Sequence, residues 1–181
     1  RRFGLMFMVS GMAALVYQVL FAKKLALVFG STSTATFTVL ATFLGGMAIG
    51  SVLGGWLAGR LRRPLVGYAM AELAIAGYCV LTGPLFDGIQ HLYVMLAAGH
   101  APDAPVLLAL RVLLGGAVLL VPTVMMGATL PLLASALGRQ GQSLGGKVAW
   151  LYFANTGGAA LGALLTGYFI IPAFGAQSTT L

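Results

Sequence analysis

Long apolar stretches separated by short charged clusters run the length of the chain. A bilayer's hydrocarbon core of roughly 30 Å takes about 20 helical residues to cross, and five stretches reach that length. The first covers residues 3–21, between Arg1, Arg2 and Lys23, Lys24. It lacks a small-x-small cleavage signature before Lys23 and further spans follow, which favours a membrane span over a signal peptide. The second covers 34–58 and the third 65–86. Between them lies Arg60-Leu61-Arg62-Arg63-Pro64, a tight basic turn in which Pro64 suits the first turn of a new helix.

Residues 87–103 carry Asp87, His91, His100, Pro102 and Asp103 without Lys or Arg, and read as an interfacial loop with some amphipathic helix. Residues 104–137 are then apolar for 34 residues. At 1.5 Å per residue that is about 51 Å of helix, too long for one straight crossing. Pro122 and Pro131 each remove a backbone donor. They predict a span over 104–125, a kink or break, and a short helix over 127–137 along or re-entering the inner face. The fifth span covers 148–171 and ends at Pro172, and a sixth is a candidate after Gly175. The expected fold class is all-α, a polytopic transmembrane helix bundle. Arg rather than Met at position 1, and an apolar stretch opening near Leu181, read as a fragment or processed piece.

Composition points the same way. Apolar residues make up 60% and charged residues only 7%, against roughly 25% charged in an average soluble domain. With a mean hydropathy of +1.00, the chain lacks the charged shell of a water-soluble globule. Orientation follows from the basic residues. With the amino terminus in the cytoplasm, the inner side holds Arg1, Arg2, Arg60, Arg62, Arg63, Arg139 and Lys147, and the outer side only Lys23 and Lys24. The net charge of +7 therefore reads as topology and contact with anionic lipid at the inner face rather than nucleic-acid binding. The single Cys79 is neither a disulfide framework nor a metal cluster.

Helices in lipid associate through close backbone approach and interhelical hydrogen bonds, so small residues should mark their seams. Gly46, Gly50 and Gly54 recur at four-residue spacing in the second span, beside Gly45, Gly55 and Gly59. Gly158 and Gly162, flanked by Ala159 and Ala163, repeat the device in the fifth. No strand precedes GGMAIGSVLGG, so its glycines read as helix packing rather than a phosphate loop.

GGWLAGRLRRPL at 54–65 resembles the loop signature between the second and third helices of major facilitator superfamily transporters, with Gly59 where that signature carries Asp. A closer likeness combines four stretches: SGMAALVYQVLFAKKLALVFGST at 10–32, TFLGGMAIGSVLGGWLAGRL at 42–61, PTVMMGATLPLLA at 122–134, and LYFANTGGAALGALLTGYFIIPAFG at 151–175. In order and spacing they resemble the membrane domain of bacterial proteins that fuse a truncated, facilitator-like bundle to a spermidine-synthase-like domain. Where a basic residue and an aromatic often follow the Tyr-Gln pair, this chain has Phe21, Lys23 and Lys24. The resemblance implies a multi-pass protein of the bacterial inner membrane. It also implies that aminopropyl transfer belongs to a soluble domain with a Gly-rich, acidic nucleoside pocket. Three acidic residues cannot supply both an acidic polyamine site and a ribose clamp, so no residue is assigned a catalytic role and no cofactor or metal is expected.

Some polar residues sit within the spans. Glu72 lies about 12 Å into the third by helical rise, with Tyr68 one turn away on the same face. An acid at that depth suits a cationic amine or a proton. It equally suits a protonated Glu hydrogen-bonded to a neighbouring helix, or one reaching back to Arg60 or Arg62. Arg111 sits near the outer leaflet, where snorkelling explains it better than anion binding, and its depth is opposite to that of Glu72. Tyr17, Gln18, Asn155 and Thr156 should face protein, through interhelical hydrogen bonds or as the lining of a central cavity. His91 and His100, nine residues apart, are weak evidence for a metal site.

Two function classes follow. One is a scaffold that anchors a synthase-like domain or packs as a subunit with another protein or a second copy. The other is a half-transporter that oligomerises to pass a small cationic, polyamine-like metabolite along Gln18, Glu72 and Asn155, since facilitator-type transport normally needs two helical halves. An enzyme acting within the bilayer is disfavoured by the lack of a nucleophile–base pair.

Overall fold

The computed structural model describes residues 2–29, 33–101, 104–138 and 144–173. Arg1, Pro102, Asp103, Arg139 and the candidate sixth span after Gly175 lie outside the described residues. Within them the chain is a bundle of five long helices: α1 Arg2–Phe29, α2 Ser33–Arg60, α3 Pro64–Ala97, α4 Pro105–Gly138 and α5 Leu144–Leu165. All five are long and apolar enough to cross a membrane, and the protein is a multi-pass membrane protein. Large apolar side chains stand exposed on every helix, among them Leu27, Val52, Val80, Leu113 and Phe153. That outward surface is what lipid solvates.

Four helix boundaries differ from the sequence reading. α1 does not stop at Lys23 but runs on to Phe29, because the two lysines stay in helical register: Lys23 is exposed and the Lys24 ammonium lies over the Phe86 ring at 5.6 Å. α3 continues past Phe86 to Ala97, so most of the segment expected as an interfacial loop is helix. It turns only at Ala98, where Gly99 with φ of 83° takes the left-handed position and the His100 amide donates to the Ala97 carbonyl. α4 is one continuous helix through Pro122 and Pro131, without the break expected after Met125 or the separate short helix.

The reason at Pro122 is specific. Its missing N–H would have bonded the Val118 carbonyl four residues back, and the Tyr78 hydroxyl of α3 donates to that same carbonyl at 2.7 Å. Pro122 is itself buried. A neighbouring helix therefore supplies the lost donor, and the backbone need not open. At the end of α5, Pro172 does not stop the helix either. The backbone widens into a π-turn over Thr166–Ile170, in which the Ile171 amide reaches the Thr166 carbonyl, and helical geometry continues to Ala173.

Three helices, α1, α3 and α5, run in one direction, and α2 and α4 run in the other. The dominant packings are α2 on α4, α1 on α5 and α3 on α4. The first two join parallel helices. On α2, Gly46 faces Thr123, Gly50 faces the Val124 carbonyl and the Gly127 Cα, and Gly54 faces Ala128; Gly127 in turn faces the Met47 carbonyl. On the α1–α5 seam, Gly11 meets the Asn155 carbonyl, while Gly158 and Gly162 meet the carbonyls of Met8 and Met12. A Cβ at any of these glycines would lie 3.0 Å or less from those atoms. Each seam is thus reciprocal, with glycine on both helices admitting the partner's backbone oxygen, a geometry suited to Cα–H···O contacts. Gly45, Gly55 and Gly59, next to the seam in sequence, have nothing within 4 Å of a would-be Cβ.

Two apolar cores flank the middle of the bundle. Toward the basic end, Phe7, Ala58, Tyr68, Leu132, Leu133, Leu137 and Leu151 pack together. Toward the other end, Phe21, Leu25, Val39, Phe86, Val118 and Leu119 do so, with Phe21 and Phe86 stacked at 5.8 Å.

Overpacking a filled interface costs about 1–3 kcal/mol and sometimes more. Gly50→Leu and Gly158→Leu should each destabilise the bundle by at least that, and Gly55→Leu should be near neutral, as read by thermal unfolding in detergent. Tyr78→Phe leaves the Val118 carbonyl without its donor, so a loss of about 1 kcal/mol is expected. Pairing it with Pro122→Ala, which restores the backbone donor, should recover most of that loss.

Candidate functional site

The polar residues of the membrane interior divide among three hollows that adjoin at Ser10 and Leu15. Glu72 lines a groove of about 540 Å³ between α1 and α3, with Phe3, Met6, Val9, Ala13, Leu65 and Ala69 as its apolar walls. Gln18 lines a groove of about 400 Å³ between α1 and α2, where Lys23 and Thr36 are the nearby polar groups. Asn155 lines a smaller, more enclosed cavity of about 150 Å³ among α1, α2, α4 and α5, together with Ser10, Gly11, Gly127 and Thr129. Tyr17 packs against the core at the end away from the basic turn: its ring lies 6.0 Å from that of Phe21, and its hydroxyl is near the Cys79 thiol. The three residues expected to line one path, Gln18, Glu72 and Asn155, therefore face different hollows, and Tyr17, the fourth candidate cavity residue, packs elsewhere.

The Glu72 setting holds the most chemistry. Ser10 of α1 donates to Glu72 Oε1 at 2.6 Å, within the range of a hydroxyl bonded to a carboxylate. The Tyr68 hydroxyl is within hydrogen-bonding reach of both. Tyr68 is buried and its ring meets Phe7 edge-on at 6.3 Å, so the apolar core fixes its position. Sequence reasoning found Glu72 and Tyr68 but missed Ser10. The signal was available in the depths: Ser10 is eight residues from Arg2 and Glu72 eight from Pro64, so two parallel helices carry them to the same level.

Asn155 sits at the α1–α5 seam, where both its backbone oxygen and Oδ1 crowd Gly11. Thr156, expected to face protein, is exposed; one residue on from Asn155, the helix rotates it by about 100° away from the seam. Thr123 and Thr166, by contrast, are buried and return their hydroxyls to the carbonyls of Leu119 and Gly162, each at 2.7 Å.

Arg111 is held by α3: its Nε donates to the Tyr93 hydroxyl at 2.9 Å and its guanidinium lies 5.7 Å from that ring. It does not reach Glu72. At the basic turn, the Arg60 guanidinium stacks 3.6 Å over Trp56, and Arg62 and Arg63 are exposed. His91 Nδ1 is 2.8 Å from the Asp87 carbonyl one turn back, an intrahelical contact, and His100 is exposed in the turn that follows. Among the described residues, no three His, Cys, Asp or Glu side chains cluster as metal ligands would.

No protein-family model, curated protein or solved structure matches the chain.

Removing the Ser10 hydroxyl leaves Glu72 with one fewer donor at a half-buried position. Ser10→Ala should destabilise the bundle by about 0.6–2 kcal/mol. In the Glu72→Gln background the same change should matter less, a coupling that a double-mutant thermal series reads directly.

Proposed function

We propose that this chain is a non-catalytic membrane scaffold: a facilitator-like helix bundle that anchors a spermidine-synthase-like domain or packs as a subunit of a larger membrane assembly. The observation that carries the reading is the pair of glycine seams. Backbone-to-backbone packing between α1 and α5 and between α2 and α4 leaves little room for helices to slide, a property of a rigid platform rather than of a path that must open. Gln18, Glu72 and Asn155 also line three distinct hollows, which share only the wall residues Ser10 and Leu15, rather than facing one common cavity.

The helix pairing also supports the facilitator-like part of the reading. In an inverted repeat of three helices, α1 corresponds to α4 and α2 to α5. That exchange carries the α1–α5 contact onto the α4–α2 contact, and each of these pairs is parallel and closed by a glycine seam, the two pairs running in opposite directions. The inner-membrane location and cytoplasmic amino terminus belong to the same proposal. They rest on the basic residues Arg60, Arg62 and Arg63 at the α2–α3 turn.

The rival reading, a half-transporter for a polyamine-like metabolite, draws on one observation: Glu72 is an acid within a membrane-spanning helix and faces a groove. The two separate in proteoliposomes loaded with purified chain. The scaffold reading expects spermidine uptake no faster than in protein-free vesicles. It also expects a synthase-like domain joined to the chain to remain with the membrane after a carbonate wash, with activity unaltered by Glu72→Gln. Saturable spermidine uptake abolished by Glu72→Gln would instead establish the transporter.

A further inference from the structure

The α1–α3 groove has an unusual composition for a lipid-facing hollow. Its walls are Phe3, Met6, Val9, Ala13, Leu65 and Ala69, and its polar end is Glu72 with Ser10 and Tyr68. Met6, Val9 and Leu65 are exposed, so the groove opens sideways into the bilayer. A carboxylate offers about four lone-pair sites, and the Ser10 hydroxyl occupies one of them, with Tyr68 close by. Among the described residues, no Lys, Arg or His forms an ion pair with Glu72. A half-buried carboxylate in this setting is complementary to a donor that carries positive charge.

Depth narrows the occupant. Glu72 lies about 12 Å above Pro64 along the helix, and Pro64 follows directly on the basic turn that marks the membrane surface. The ammonium of a phospholipid stays at the interface and does not descend that far. A hydrophilic polyamine carries several charges, of which the groove would match one and leave the others against hydrocarbon. A single amine on a hydrocarbon chain satisfies both ends. We infer that the groove between α1 and α3 is a binding site for a monovalent lipophilic amine, its ammonium on Glu72 and its chain running past Val9 and Ala13 toward the middle of the bilayer. The volume of about 540 Å³ is in the range of small-ligand sites. This inference stands apart from the scaffold reading, because a site open to lipid on one side requires no path across the bundle.

The test uses the full chain in lipid nanodiscs and a long-chain primary alkylamine carrying a diazirine. After irradiation, adducts are mapped by peptide mass spectrometry. Adducts are expected on the segment Val9–Ala13, competed by octylamine but not by octanol or spermidine. In Glu72→Gln they should fall about fivefold or more. Ala13→Phe keeps the carboxylate and fills the groove, so it should lower labelling equally and guards against a folding defect in the first variant. Labelling that octanol competes as well as octylamine, or that survives either substitution undiminished, would overturn the inference and leave the groove as a place for lipid acyl chains only.

Discussion

The architecture depends on backbone atoms of different helices coming closer than side chains normally allow. In lipid there is no hydrophobic drive to push one apolar helix against another, so the contacts that hold the bundle must come from packing and weak polar attraction. At the α2–α4 seam, Gly50 admits the Val124 carbonyl and Gly127 admits the Met47 carbonyl. At the α1–α5 seam, Gly11 admits the Asn155 carbonyl and Gly158 admits that of Met8. Once these two parallel pairs are locked, α3 has one place to lie, against α4, with Tyr78 donating across to Val118. The α1–α3 groove then follows from geometry: those two helices touch only lightly, at spaced points such as Phe7 with Tyr68, Ser10 with Glu72, and Phe21 and Lys24 with Phe86.

Much of this was legible in the chain, for a plain physical reason. Crossing a bilayer imposes a length and a composition on each helix, and both are properties of sequence alone. The five spans and the basic turn at Arg60–Pro64 were visible on those grounds. Helix ends were less so. Lys23 and Lys24 look like a boundary, but a long cationic side chain near the membrane surface can remain helical while its charge finds water or an aromatic ring, as Lys24 does over Phe86. Pro122 looks like a break. Whether a proline breaks a helix in lipid depends on whether another group supplies the missing donor, and that group, Tyr78, is 44 residues away in the chain.

The same limit governed the site. Glu72 and Asn155 were conspicuous as polar residues in apolar helices, but conspicuousness says nothing about proximity. Which polar residues share a hollow is decided by helix pairing, and pairing was not read from the pattern. Ser10 illustrates the converse: it is unremarkable in α1 until α1 and α3 are known to run parallel at matched depth, when a constant offset aligns Ser10 with Glu72 and Tyr17 with Cys79. Depth counted from each helix start is therefore the sequence-level quantity that comes nearest to predicting contacts in a bundle of this kind.

The seams are the claim on which the rest stands, and one measurement meets it most directly. In chain labelled with 13C only at glycine α carbons and held in nanodiscs, nuclear Overhauser contacts between glycine α protons report backbone approach without side chains intervening. A strong cross-peak between Gly50 and Gly127, whose Cα would lie 3.0 Å from a Cβ on Gly50, is the predicted result, and Gly127→Ala identifies it by its loss. Cross-peaks from both glycines to lipid acyl protons, with none between them, would contradict the packing described above.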